Sequence, residues 1–300
     1  MIAGEASVTA KICAFARAHH AMNTKQPIYN DYLAYDLLGE KEYQIVKGNI
    51  VKLLSDRSWE IPFHDTWDGF INQFISPIII SRSEYTRIQL KSFVKDDQEE
   101  YQYVICGAGL DSFAFRNTNK NLKIFELDHP DTQEYKKHRI AELGWQLPAQ
   151  VQYLSIDFEK QSMEEVLLGK GFDPTKKTLF AILGVTYYLS LEIFSHTLSS
   201  IAKLSENKET QIVFDYPDKD IVRRGRTNPR MAALIDFTSQ LGEVMQGGMN
   251  FKELSEELNK VGFYIKEYEN PQVIQERYFE NRDDELQAYE NIAFMTAEKN

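Results

Sequence analysis

The sequence predicts a doubly wound α/β domain carrying a helical N-terminal cap, and three observations lead there. From about residue 96 onward, short apolar runs alternate with helix-sized segments, and alternation of this kind builds a parallel sheet covered on both faces. The first of these runs, YQYVICG, leads into Gly107-Ala108-Gly109, and the second, LKIFELD, places an acid, Glu126, nineteen residues after Gly107. The third observation is a change of texture: residues 1–95 read as helices and turns, closed by the polar segment KDDQEEYQ. One core with a cap (1–95) and a Rossmann-like domain (96–300) is expected, not two independent units.

Each element has its own signal. SVTAKICAFARAHHAM is helical by composition, and EKEYQIVKGNIVKLL puts Tyr43, Val46, Ile50, Leu53 and Leu54 on one face of a helix. In HPDTQEYKKHRIAELG, Asp128 is the expected cap, Pro130 falls in the first turn and Gly144 ends the helix. VQYLSID, the helical KQSMEEVLLGKG and TLFAILG follow; Ser190 then caps LEIFSHTLSSIAKL, and QIVFDY is a further strand. Beyond Tyr216 a polar, helical insertion at about 217–250 forms a lid. FKELSEELNKVGF resumes the helix with Phe251, Leu254, Leu258 and Val261 inward, and YIKEYE and ENIAFMTAE supply two last strands.

Composition narrows the function classes. Of 300 residues, 43% are apolar and 26% charged, a globular balance. No apolar run approaches the ~18–20 residues needed to cross a bilayer. The N-terminus lacks the basic start and apolar core of a signal peptide, so a cytoplasmic protein is expected. A formal net charge of −11 opposes direct nucleic-acid binding, which depends on neutralising phosphates. The two cysteines have no metal-ligand spacing, and Cys106 reads as a small buried strand residue.

In an open parallel sheet, ligands sit beyond the carboxyl ends of the strands where the winding reverses. Gly107 and Gly109 occupy that edge after the first strand, where the lack of a Cβ lets a ligand touch the main chain. Asp111, following them, suits a cationic or hydroxylic ligand better than a pyrophosphate. Glu126 at the second strand end can accept both hydroxyls of an adenosine ribose, as in nicotinamide dehydrogenases and in methyltransferases that use S-adenosylmethionine. Ser112 replaces the third glycine of the dinucleotide fingerprint. At the third strand end, Asp157 and Phe158 offer an acceptor and an apolar face to an adenine.

The residues then resemble a known family. ISRSEYTR, VICGAGLDSFAFR, FELDHPDTQEYKKHRI, SIDFEK, GFDPTKKTLFAILGVTYYLS and IVFDYP occur in the order seen in the leucine carboxyl methyltransferase family of class I S-adenosylmethionine-dependent methyltransferases, including its bacterial polyketide O-methyltransferase branch. The resemblance runs from about Ala14 to Ala297. It implies a seven-stranded sheet with an antiparallel last strand and S-adenosylmethionine as cofactor. Arg82 would pair with the cofactor's carboxylate; Gly107 and Gly109 would line its methionine portion, Glu126 the ribose, and Asp157 with Phe158 the adenine. Ala108, Asp111 and Gly184 complete the cofactor set. Many relatives carry a glutamate where this chain has Leu183. The methionine amine then finds another acceptor, or the substrate differs, or activity is reduced.

The implied reaction is in-line methyl transfer to a carboxylate or phenolic oxygen of a small, polyketide-like or aromatic acceptor. No general base declares itself, and no metal is implied. His129 reads as structural, while Tyr187, Tyr188 and Asp215 are the candidates for the acceptor pocket. Arg223, Arg224, Arg226 and Arg230 form a local basic cluster that could draw an anionic acceptor to the cleft. A protein C-terminal carboxylate as acceptor, a cofactor-binding protein without turnover, and a nicotinamide-dependent oxidoreductase are the other readings the residues allow.

Overall fold

A computed structural model describes residues 6–55, 67–96, 98–158, 160–207, 209–217, 219, 229–240, 242, 244–245 and 248–300. Strands β1 (Tyr101–Cys106), β2 (Leu122–Asp128), β3 (Val151–Ser155), β4 (Lys177–Ile182), β5 (Gln211–Pro217), β6 (Phe263–Glu269) and β7 (Ile292–Lys299) form one seven-stranded sheet in the order β3-β2-β1-β4-β5-β7-β6. The first five strands pair in parallel, and β7 runs antiparallel to both β5 and β6. The winding reverses between β1 and β4, so the crevice expected of such a sheet opens at their carboxyl ends.

The central strands β1 and β5 are buried along their whole length, as their continuous apolar runs require. The outermost strand β6 instead alternates buried and exposed positions. Alternate residues of β1 feed two cores. Tyr103 and Ile105 pack with the cap helices, whereas Val104 and Cys106 pack with the helices Met163–Leu168, Leu191–Lys203 and Phe251–Lys260. The thiol of Cys106 is pushed up to about 12 by burial, which leaves it an inert core group.

The cap consists chiefly of Val8–Asn23, Glu40–Ser55 and Ser76–Phe93. The long helix Ser76–Phe93 docks on the sheet through Tyr85, whose hydroxyl lies 2.7 Å from Thr296 Oγ1 on β7 while its ring packs against Phe294. Tyr43, Val46 and Ile50 are buried as their spacing predicts, and the side chains of Leu53 and Leu54 lie outside the described ones. Insertion 217–250 is closed at its base by two backbone bonds: Met249 N–H donates to Pro217 C=O at 2.9 Å, and Lys219 N–H donates to Met249 C=O at 3.0 Å. Its helix Pro229–Gln240 is anchored by Arg230, whose guanidinium donates to the carbonyls of Gln73, Gln287 and Ala288 and lies over the Tyr289 ring. Arg230 is thus committed to the scaffold, and Arg223, Arg224 and Arg226 lie outside the described residues.

Two local expectations change, and one element is new. The helix Pro130–Glu142 is capped by His129, whose Nδ1 accepts from Asp131 N–H, because the Asp128 carboxylate is engaged elsewhere. Phe251 is exposed, since the inward stripe of its helix runs through Leu254 and Leu258. A helical turn over Pro271–Phe279, between β6 and β7, had no apolar period long enough to announce it. Among the described residues, no helix is long and apolar enough to cross a membrane.

Candidate functional site

A cleft of about 660 Å³ opens where the winding reverses, and its size falls within the range of small-molecule sites. The loop after β1 forms its floor. Gly107 and Ala108 donate their N–H groups to Leu127 C=O at 2.9 and 3.1 Å, so the loop is tied to the end of β2. Gly109 adopts φ +54°, and a Cβ there would stand 3.2 Å from Ala10 Cβ on the N-terminal helix. Only glycine accepts both the backbone angle and the helix pressed against it. Asp111 lines the cleft beside this loop, with one carboxylate oxygen accepting from Phe113 N–H at 2.6 Å.

The two acids of β2 have different roles. Glu126 is shut off from the cleft: it is 1% exposed and ion-paired with Lys136. Asp128 lies one strand repeat further along and reaches the rim. Its carboxylate accepts Gly109 N–H on one oxygen and His129 N–H, at 2.7 Å, on the other. Burial lifts the Asp128 carboxyl above its ordinary range, against the pull of these two donors. Side chains two apart share a face of a strand, so sequence patterning places both acids on the same side; where the strand leaves the sheet decides which one meets the cleft.

Asp157 and Phe158 line the opposite end. The Asp157 carboxylate accepts from Lys160 Nζ at 2.6 Å, and Phe158 is 47% exposed, an uncovered aromatic at the mouth. His129 also lines the cleft, on the β2 side.

The cap is held over the glycine loop by a network that the sequence did not reveal. Arg17 donates from Nε to Asp31 Oδ2 at 2.9 Å and from Nη2 to Leu110 C=O at 2.8 Å. The other Asp31 oxygen accepts from Ser112 Oγ and lies 3.4 Å from Arg116 Nε. Burial alone would raise the Asp31 carboxyl, but Arg17 and Arg116 outweigh it and hold it below its ordinary value. Ser112, at the third position of the glycine motif, therefore fastens the cap. No local spacing joins Arg17 to Asp31, so only the fold brings them together.

Behind the cleft lies a second, mainly apolar chamber of about 70 Å³. Phe74 and Ile78 reach into it from the N-terminal helices, and Leu234 and Phe237 from the helix Pro229–Gln240. Thr9, Cys13, Arg82, Gly184 and Tyr188 border both cavities and form the wall between them. Arg82 dominates this wall. Its Nη1 donates to Asp215 Oδ2 at 3.1 Å, and its Nη2 approaches Cys13 Sγ at 3.3 Å. Gly184 has φ +71°, and a Cβ on it would fall 2.6 Å from Arg82 Nη2, so the guanidinium lies directly on the main chain.

Of the acceptor-pocket candidates, Tyr188 borders both cavities and Tyr187 borders the chamber, but Asp215 borders neither. Asp215 is fully buried, and its carboxylate also accepts from Tyr187 OH and from Gly184 N–H. Burial and the Asp215 charge push the Tyr187 phenol well above its usual value, so it keeps its proton. Leu183 lines the cleft near Asp111 and offers no hydrogen bond there. Among the described residues, no group of three or more His, Cys, Asp or Glu is placed to hold a metal ion.

Known proteins share this fold or match much of this sequence. Two solved structures share the fold: one described as "a putative methyltransferase" from Thermobifida fusca YX (TM-score 0.60, 10% identity, covering 99% of this chain and 96% of that one), and a duf574 family protein from Streptomyces avermitilis (TM-score 0.58, 9% identity, 98% of each chain). Residues 10–202 match the leucine carboxyl methyltransferase family. A Bacillus subtilis (strain 168) protein named "Putative S-adenosyl-L-methionine-dependent methyltransferase YktD" is 32% identical over 303 residues, 98% of each chain. The chain is an S-adenosylmethionine-dependent methyltransferase. It belongs to the leucine carboxyl methyltransferase family.

Proposed function

We propose that the protein transfers the methyl group of S-adenosylmethionine to an oxygen of a small acceptor, with the cofactor in the cleft and the acceptor's apolar body in the chamber. The observation that carries this reading is the shared wall, because two cavities meeting at the same five residues give a donor and an acceptor a common boundary. When bound, the cofactor supplies a methyl group already activated on a sulfonium.

The residues present fit that cofactor. The Gly107–Gly109 main chain is bare enough to lie along the methionine portion, and Arg82 supplies a guanidinium suited to its carboxylate. Asp128, at the rim, takes the ribose role first expected of Glu126. Asp157 and Phe158 receive the adenine, with Phe158 giving an apolar face. Asp111 stands closest in character to the acid missing at Leu183 and takes the methionine amine.

The protein's contribution is alignment and exclusion of water, which supplies on the order of 7–11 kcal/mol of barrier lowering. Among the described residues no histidine borders the shared wall, and Tyr187 holds its proton. An acceptor that arrives ionised fits such a wall. A carboxylate meets that condition outright, and a phenol, with its pKa near ~10, does so only in small part. A small acidic or aromatic molecule is the substrate class favoured.

The test combines binding and turnover. S-adenosylhomocysteine should raise the melting temperature while NAD(H) leaves it unchanged. Labelled S-adenosylmethionine should then mark small aromatic acids or phenols in preference to a peptide ending in a free leucine carboxylate. Labelling of the peptide alone would reverse the acceptor assignment, and cofactor binding without any labelled product would favour a protein that binds without turnover.

A further inference from the structure

Asp215 is fully buried at the end of β5 and touches neither cavity, yet three groups that line one or both cavities donate to its carboxylate. Arg82 Nη1 and Tyr187 OH meet Oδ2 at 3.1 and 2.8 Å, and Gly184 N–H meets Oδ1 at 2.7 Å. Its main-chain carbonyl accepts a fourth bond, from Thr186 Oγ1 at 2.5 Å. These donors come from separate elements, the cap helix Ser76–Phe93 and the segment after β4. An ionised carboxylate is acceptor-only and suits an environment made of donors. An amide does not: whichever way it turns, its NH₂ faces either Arg82 or the Gly184 N–H.

We infer that Asp215 is a positioning residue of the transfer site, acting through Arg82 and Tyr187 to fix the wall between cofactor cleft and acceptor chamber. Asp215 contacts neither ligand. Its effect is preorganisation: Arg82 is already seated on Asp215, on Cys13 Sγ and on the bare main chain of Gly184 before a carboxylate arrives. The inference rests on the proposed cofactor site, in which Arg82 receives that carboxylate.

The experiment is calorimetric titration of the full chain with S-adenosylhomocysteine, using the wild type, Asp215→Asn, Arg82→Met and the double variant, with far-UV circular dichroism to confirm folding. Asp215→Asn should weaken binding about tenfold or more, as expected when a charge-assisted hydrogen bond is lost. The double variant should bind no more weakly than Arg82→Met alone, because Asp215 acts through that side chain. Wild-type affinity in Asp215→Asn, or losses that multiply in the double variant, would overturn the inference. A purely structural Asp215 would give the multiplied result. No binding by the wild type would instead sink the cofactor reading. Should Asp215→Asn fail to fold, Tyr187→Phe removes one donor from the Asp215 carboxylate without touching the cleft lining; unchanged affinity there overturns the inference, and a several-fold loss supports it.

Discussion

Lys136 and Glu126 form an ion pair from which solvent is almost wholly excluded, the lysine on the helix Pro130–Glu142 and the glutamate on β2. Glu126 Oε1 has no hydrogen-bond partner among the described residues, so the charge on this carboxylate is only partly compensated. Breaking such a pair leaves a lone buried charge, at a cost of about 3–5 kcal/mol. Lys136→Met should lose stability on that scale in denaturant unfolding, and adding Glu126→Gln should recover part of the loss.

The same pair sets a pH dependence. Burial pushes the Glu126 carboxyl up to about 7, against the pull of Lys136. A raised carboxyl binds its proton more tightly folded than unfolded, so this contribution is fully present below the unfolded value, near ~4.3, and is lost as pH rises through about 7. Relative to Glu126→Gln, the wild type should lose stability between those limits. A wild-type chain that gains stability over that window would contradict the assignment.

On the acid side His20 is one contributing group. It is buried in the N-terminal helix, where Nε2 accepts from Ile28 N–H at 2.9 Å, and burial lowers its pKa to about 4. A lowered histidine favours folding above its unfolded pKa of ~6.5, and the contribution is lost as pH falls through about 4. The full span amounts to about 3 kcal/mol. Thermal melts between pH 7 and 4 should show this limb in the wild type and a shallower one in His20→Gln.

Asp128 and Glu126 are separable by ligand binding. Asp128→Asn should weaken S-adenosylhomocysteine about tenfold, whereas Glu126→Gln should act mainly on stability. Calorimetry on both variants decides which acid meets the ribose, and equal losses would return Glu126 to the cleft.

Phe237 tests the chamber. It stands edge-on to Phe74 with ring centroids 5.7 Å apart. Phe237→Leu keeps the site apolar but changes its shape, so the acceptor KM should move several-fold while S-adenosylhomocysteine affinity stays within about twofold. Steady-state kinetics beside calorimetry would show the split, and a parallel change in both would place the acceptor elsewhere.

Much of the cleft's edge was legible because it is local. Gly107 to Gly109, Asp111, Asp157 and Phe158 each stand at a strand end that the apolar pattern marks, and the sheet gathers those ends along one rim. Glu126 lies deeper than its place near a strand end suggested, because strand periodicity gives a face but not the depth at which the chain leaves the sheet. Asp215 was taken for a pocket residue by the same reasoning, though its side chain turns inward to donors from two other segments.

The alternating strands and helices, the glycine loop and the family could be read directly from the chain, since each depends on residues close together in it. The Arg17–Asp31 clasp, the Arg82–Asp215 pair and the chamber between the N-terminal helices and the helix Pro229–Gln240 exist only in the folded chain. These contacts join residues 14 and 133 positions apart, or separate helices, and no spacing rule encodes them. Charge pairing and exclusion of water act on distance in space, and that distance exists only once the sheet has formed and the helices have closed over it.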